Sequence, residues 1–257
     1  LESTPGRGFL PLTGERTVPG VPEENYWFRR HEAAYQFLLP LARSRRLLEV
    51  GCGEGYGTAM LATVASRVVG IDYDPLTIAH AAATYPGVEF VRANLAALPV
   101  PDASTDVVAT LQVIEHVWNH GEFVDECLRV LRPGGLLVVS TPNRLTFSPG
   151  RDAPVNIFHT KEFTGAELTD LLTRHGFEVV TAHGLHAGER LVTLDARHGG
   201  SFVDAQLASP PEDWPADLRA DVASVSTADF PIDADGDLDA ALDLIVVARR
   251  PVAMARS

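Results

Sequence analysis

The chain has 257 residues, of which 21 are basic and 34 acidic, for a formal charge of −13. That length can hold one large domain with a sizeable core, and the acidic surplus argues against a nucleic-acid substrate, whose phosphates it would repel. No apolar run approaches the roughly 18 residues of a membrane span, no basic-then-apolar start signals secretion, and Cys52 and Cys127 give no disulfide framework, so a reducing cytoplasm is expected.

Residues 1–23 are rich in Gly and Pro, lack periodicity and read as an extended arm. A helix is expected over 24–41, with Trp27, Phe28, Ala34, Tyr35, Phe37 and Leu38 on its apolar face. Leu47 to Val50 reads as a buried strand that runs into Gly51-Cys52-Gly53-Glu54-Gly55-Tyr56-Gly57 and then a helix over 55–65. Arg67 to Ile71 is a second short apolar strand, closed by Asp72 and followed by a helix over 75–84. Val88 to Leu95 reads as a third strand and its turn, and Asp106 to Leu111 as a fourth, followed by the loop Gln112 to Val117. A helix over 122–131 leads to a glycine turn and a fifth strand within Leu131 to Asn143. Thr164-Gly165-Ala166-Glu167 has the form of a capping box for a helix over 166–174, and Phe177 to Thr181 follows as a sixth strand. The alternation of strand and helix predicts a parallel sheet. It stops between about 188 and 239. Residues 201–240 carry ten acidic groups against Arg219 alone, and read as an insertion over the sheet edge or as a mobile loop. Asp243 to Ala248 is the last strand. Asp233 to Asp239 superficially suggests a calcium loop, but its glycine is at the fourth position and Leu244 stands where a bidentate Glu is needed.

The glycine turn carries the most chemistry. Alternate glycines let the backbone approach a ligand closely. A pyrophosphate turn wants amide donors and positive potential, whereas Glu49 beside these glycines suits a ligand carrying positive charge. Asp72 lies about 20 residues beyond the turn, the spacing at which a carboxylate accepts both hydroxyls of a ribose.

On these residues the chain resembles the class I S-adenosylmethionine-dependent methyltransferases, over about 31–180 and again over 242–249. The resemblance implies an α/β, Rossmann-like sheet of seven strands, mostly parallel, with strand 7 antiparallel between the fifth and sixth and helices on both faces. It divides the chain into an N-terminal arm and helix start (1–30), a methyltransferase core (31–186), an acidic insertion (187–240) and a final strand with its tail (241–257). It implies S-adenosyl-L-methionine as cofactor, held by Glu49, Gly51, Gly53, Gly55, Asp72, Tyr73, Asn94, Leu95 and Gln112; an Arg of the N-terminal run could pair the cofactor's carboxylate, Arg29 and Arg30 being unranked by sequence and Arg30 the one assigned. Asn94 is a departure, since most relatives carry Asp there; its amide oxygen can still accept from the adenine amino group.

Methyl transfer to an alcohol needs an acceptor held behind the methyl carbon and a group that removes its proton. His116 and His159 are the expected catalytic residues; the plainer readings are a loop or lid histidine for His116 and a capping or loop-pinning one for His159. The stretch Asn156-Ile157-Phe158-His159-Thr160-Lys161-Glu162-Phe163 resembles one found in sugar- and polysaccharide-pathway methyltransferases, and Asn25 to Glu32 resembles their N-terminal helix. Tyr26, Trp27, Asn143, Arg144, Asn156 and Lys161 are further groups expected to bind an acceptor sugar. A divalent metal could draw on Glu115, His116 and His159, but no spacing is diagnostic and none is assigned. The expected activity is O-methylation of a saccharide or glycoconjugate hydroxyl, with no nucleic acid and no membrane span involved; the oligomeric state is not legible. The alternatives are methylation of a quinone, lipid or secondary metabolite, and a cofactor-binding protein without catalysis. Gln112-Val113-Ile114-Glu115 after the fourth strand disfavours an amino-group DNA methyltransferase.

Overall fold

The computed structural model describes residues 17–151 and 153–252, so most of the expected arm and the end of the tail lie outside the described residues. Eight strands form one sheet: β1 (Arg46–Val50), β2 (Arg67–Asp72), β3 (Glu89–Arg92), β4 (Thr105–Leu111), β5 (Leu131–Pro142), β6 (Glu178–Leu185), β7 (Ile232–Asp233) and β8 (Asp243–Arg249), in the order β3-β2-β1-β4-β5-β8-β6-β7. The run from β3 to β5 is parallel. The expected final strand is β8, and it lies where expected, antiparallel to β5 on one side and β6 on the other. The sheet has eight strands rather than the expected seven, because Leu185 and Gly184 of β6 pair with Ile232 and Asp233. Two residues inside an acidic, Pro-broken run have no alternation of their own, so pattern reading passes over them.

The central strands are buried on both faces, with side chains alternating between two cores. Val107, Ala109, Val138, Ile245 and Val247 face one, and Val108, Leu137, Val139, Leu244 and Val246 face the other. The first core is closed by α1 (Asn25–Ala42) and α2 (Tyr56–Ala62), while α3 (Pro75–Thr84) lies along β2 and β3. The second is closed by α4 (His120–Val130) and, after the single turn α5 (Arg144–Phe147), by α6 (Gly165–Arg174). Phe123, Val124, Cys127 and Val130 recur at helical spacing and give α4 its buried stripe. Thr164 and Glu167 form the expected capping box of α6.

The acidic region packs. Helices α7 (Glu189–Arg197), α8 (Phe202–Leu207) and α9 (Ala216–Ser224) bury Leu191, Leu194, Phe202, Leu218 and Val222 with the α1 side of the sheet. Tyr26 of α1 meets Phe202 and Phe230 edge-on, with ring centroids 5.8 and 5.4 Å apart. The Asn25 amide donates to the carbonyls of Val222 and Val225, both at 2.9 Å, and so closes the end of α9. Asp204, Glu212, Asp213 and Asp217 stay exposed.

Two buried polar contacts fix α1 on the sheet. Arg30 Nε and Nη2 donate to the two Asp243 carboxylate oxygens at 2.6 Å each, and Nη2 also donates to the Leu242 carbonyl at 2.8 Å. The pair is almost fully buried, and the Asp243 carboxylate raises the guanidinium pKa against the opposing effect of burial. Further along α1, Tyr35 donates its hydroxyl to Glu49 of β1 at 2.6 Å, and Thr58 of α2 donates to the other Glu49 oxygen. Burial pushes the Glu49 carboxyl up to about 7, against the downward pull of those two hydroxyls.

Both contacts give testable outcomes. Arg30→Ala leaves Asp243 buried without its partner and should cost roughly 3–5 kcal/mol, read as a lower urea midpoint; a loss under about 1 kcal/mol would show that water replaces the guanidinium. For Glu49, the folded chain keeps between its ordinary 4.5 and about 7 a proton that the unfolded chain releases. Raising the pH through that window should therefore lower stability, by on the order of 1–3 kcal/mol. Glu49→Gln should shrink the difference between urea midpoints at pH 5 and pH 8; an unchanged difference would mean that Glu49 is ionised throughout.

Candidate active site

The chain leaves β1 toward β2 and β3, then returns to place β4 on the other side of β1. Open α/β sheets bind ligands outside the carboxyl ends of the strands at such a reversal. A cleft of about 680 Å³ lies there.

Its inner wall is the glycine turn. Gly51 and Cys52 donate their N–H groups to the Ile71 carbonyl at 2.7 and 2.9 Å, tying the turn to β2. Gly51 has φ +83°, and a Cβ there would run into the Val113 side chain, so this position needs glycine for conformation and for space. Gly53 also lines the cleft, whereas Gly55 packs against Ala81 and Phe90 at the start of α2. Asp72 lines the cleft at the end of β2. Its Oδ2 accepts the Gly53 N–H and its Oδ1 the Asp74 N–H, each at 3.0 Å. Each oxygen keeps a further lone pair for a ligand hydroxyl. Tyr73 is exposed at the rim, and Asn94 and Leu95 form the wall beyond it. The Asn94 amide oxygen accepts from Ala96 N–H at 3.0 Å.

Gln112 stands at the end of β4 with φ +57°, an unusual backbone for a residue with a Cβ. Its N–H donates to the Ser140 carbonyl at 2.8 Å and its Nε2 to the Ser140 hydroxyl at 3.0 Å. It borders both the main cleft and a second cavity of about 60 Å³ behind the turn. Thr17, His31 and Tyr56 line that smaller cavity. Desolvation holds His31 down to about 4, so its ring is neutral at ordinary pH.

Besides Gly55, two expected cofactor residues do not line the cleft. Arg30 is committed to Asp243 and the Leu242 carbonyl. Glu49 lies beneath the turn, with both oxygens taken by Tyr35 and Thr58. Its carboxyl is a structural prop rather than a surface that offers charge to a ligand.

The outer wall brings together segments distant in sequence. After β4, residues Ile114–His116 form a single 3-10 turn. The Glu115 carbonyl accepts from Thr160 N–H at 2.6 Å and from the Thr160 hydroxyl at 3.0 Å, which clamps the 156–163 segment against this turn. His116 and His159 thereby come to 4.9 Å between ring centroids. His116 Nδ1 lies 3.0 Å from the Phe158 carbonyl, which can only accept. His159 Nδ1 lies 2.8 Å from Glu162 Oε1, and its Nε2 lies 3.1 Å from the Asn156 amide nitrogen. Burial lowers the His159 pKa, with Glu162 opposing the shift. The Glu115 carboxyl is fully buried and pushed up to about 8 by desolvation, in spite of the Thr141 hydroxyl that donates to it at 3.0 Å.

Several expected acceptor contacts are structural. Tyr26 is buried under the acidic helices and Trp27 packs at their edge. Asn143 is fully buried, its amide donating to the carbonyls of Leu238, Asp239 and Ala241. Arg144 lies 3.6 Å from Glu167, and Lys161 stands 4.7 Å over the Phe163 ring. The aromatic group at the cleft mouth is instead Trp118, 90% exposed, beside Ile157 and Phe158. Its only signal in the sequence is an aromatic residue directly after Glu115-His116-Val117. Thr17 gives none, while His31 lies within the N-terminal helix already singled out.

Comparison with known proteins agrees with this geometry. Residues 48–139 match a family described as a methyltransferase domain. A "Probable S-adenosylmethionine-dependent methyltransferase" of Mycolicibacterium smegmatis is 57% identical over 246 residues, covering 94% of this chain and 96% of the relative. One of the same description from Mycobacterium tuberculosis is 56% identical over 254 residues, covering 97% and 93%. Among solved structures, a SAM-dependent methyltransferase from Thermotoga maritima superposes with a TM-score of 0.60 at 19% identity, over 90% of this chain and 96% of the other, a likeness of fold alone.

Proposed function

The chain belongs to the S-adenosylmethionine-dependent methyltransferases, and from that premise we propose that it transfers the methyl group to a hydroxyl of a saccharide or glycoconjugate. The cofactor supplies an electrophilic methyl carbon on a charged sulfonium. The residues at the cleft suit it. Asp72 keeps lone pairs for the ribose hydroxyls, Gly51 and Gly53 present backbone without side chains, and Tyr73, Asn94 and Leu95 border the adenine end. Gln112 and the small cavity by Thr17 and His31 take the amino-acid end. That no described helix is long and apolar enough to cross a membrane, and that both cysteines are buried thiols, is compatible with action in the cytoplasm.

The observation that carries the acceptor reading is the meeting of Glu115, His116 and His159 at a cleft that the exposed Trp118 also lines. A hydroxyl acceptor must lose its proton as its oxygen bonds to the methyl carbon. An imidazole pair beside a carboxyl can bind and activate a hydroxyl, and an aromatic face packs on the apolar side of a sugar ring. An aromatic wall without histidines would have favoured a flat quinone-type acceptor instead.

Three outcomes are expected. Asp72→Ala removes two charged acceptors and should weaken S-adenosylhomocysteine binding by roughly tenfold or more, measured by calorimetry; wild-type affinity would remove Asp72 from the ribose site. His116→Ala and His159→Ala should keep that affinity while turnover falls, by about 10²–10⁴-fold in at least one of them; two fully active variants would leave the histidines without a role in activation. A panel of glycans screened with methyl-labelled cofactor should yield a methylated hydroxyl. Methylation of a polyprenylated phenol with no transfer to any glycan would refute the saccharide reading.

A further inference from the structure

His116 and His159 line the cleft, and the buried Glu115 carboxyl lies within reach of both. One carboxylate oxygen of Glu115 and one ring nitrogen of each histidine all lie within 4.8 Å of one another. Glu115 is 1% exposed, and its Oε1 has no hydrogen-bond partner among the described residues, while Oε2 accepts from Thr141. A buried acceptor left without a donor costs on the order of 1–3 kcal/mol, so this oxygen is not held there for stability.

The neighbours orient the rings for a cation. The Phe158 carbonyl takes the Nδ1–H of His116, so the neutral ring carries its lone pair on Nε2. Glu162 Oε1 takes the Nδ1–H of His159 at 2.8 Å, which puts that lone pair on Nε2 as well. A histidine that ligates metal through one nitrogen characteristically donates its other N–H to a carboxylate or a backbone carbonyl, which fixes tautomer and ring orientation. Both arrangements occur here, one on each ring.

We propose that Glu115, His116 and His159 bind a divalent transition-metal ion at the edge of the cleft that the two histidines line. Two imidazoles and a carboxylate suit zinc and its first-row neighbours, and three protein ligands leave a position open for an acceptor oxygen. Bonds of about 2 Å bring donors closer than the present spacing, so the side chains close slightly on the ion. The Asn156 amide, now 3.1 Å from His159 Nε2, gives way to it. The role of the ion rests on the hydroxyl reading above. A hydroxyl bound to the ion releases its proton to water more readily. The resulting alkoxide oxygen bonds to the methyl carbon as the carbon–sulfur bond breaks and its electron pair returns to sulfur, so that alkoxide and sulfonium become ether and thioether.

The test uses the untagged chain, stripped with a chelator, dialysed and titrated with Co²⁺ under visible absorption and calorimetry. S-adenosylhomocysteine binding serves as the check on an intact cleft. One Co²⁺ per chain, displaced by Zn²⁺, is the result expected. Binding should weaken by roughly tenfold or more in Glu115→Gln, His116→Ala and His159→Ala while S-adenosylhomocysteine affinity is kept. Failure of the wild-type chain to bind Co²⁺, or binding that survives all three substitutions, overturns the site. Methyl transfer that persists after chelation overturns the ion's part in the reaction. Metal bound at these residues with no hydroxyl acceptor methylated upholds the site and counts against the hydroxyl reading instead.

Discussion

The ion pair between Arg30 and Asp243 joins the two ends of the fold. Asp243 opens β8, and its register places it opposite Pro142 of β5 and Leu185 of β6. A guanidinium brought to that point from α1 therefore pins the N-terminal helix onto the last strand, where both are buried. Its two parallel hydrogen bonds fix direction as well as distance. With α1 held in that direction, Tyr35 reaches Glu49, and Gly57 of α2 can pack against the Tyr35 ring, where a Cβ would collide with it. The glycine turn thus stands on a helix that is itself set by a strand 213 residues further along the chain.

The other side of the cleft centres on the Glu115 carbonyl. The Glu115 backbone oxygen receives the Thr160 N–H and the Thr160 hydroxyl, and the hydroxyl also bonds the Val117 carbonyl at 2.6 Å. Two loops after different strands become one wall. The two walls of the cleft are therefore built by different means: the inner one by the turn following β1, the outer one by a loop-to-loop clamp.

That difference explains what the sequence revealed. The turn, Asp72 and the order of strands are written locally, in glycines, short apolar runs and a spacing of about 20 residues. They were legible, as was β8, whose apolar run has strand length. The convergence of His116 with His159 was legible only as two separate candidates, because the Thr160 clamp spans 45 residues and leaves no periodicity. Arg30, Tyr26 and Asn143 were read toward the ligand, and in the fold they make the anchoring contacts described above. A buried polar side chain that satisfies distant carbonyls is the same residue type as one that binds substrate, and only the fold separates them. The acidic stretch misled in another way. Its charges dominate the composition, yet Leu191, Leu194, Leu218 and Val222 recur beneath them at helical spacing.

The three tryptophans occupy unequal surroundings. Trp214 is 6% exposed, with its indole N–H donating to the Gln206 and Ser209 carbonyls, and Trp27 is partly covered by the first core. Trp118 alone stands almost wholly in solvent, on the lip of the cleft. The red edge of the protein's fluorescence therefore belongs chiefly to one residue, and that residue faces whatever enters. Acrylamide should quench this emission first, and a molecule laid across the ring should shield it, so the unaltered chain carries its own optical reporter of what binds at that lip.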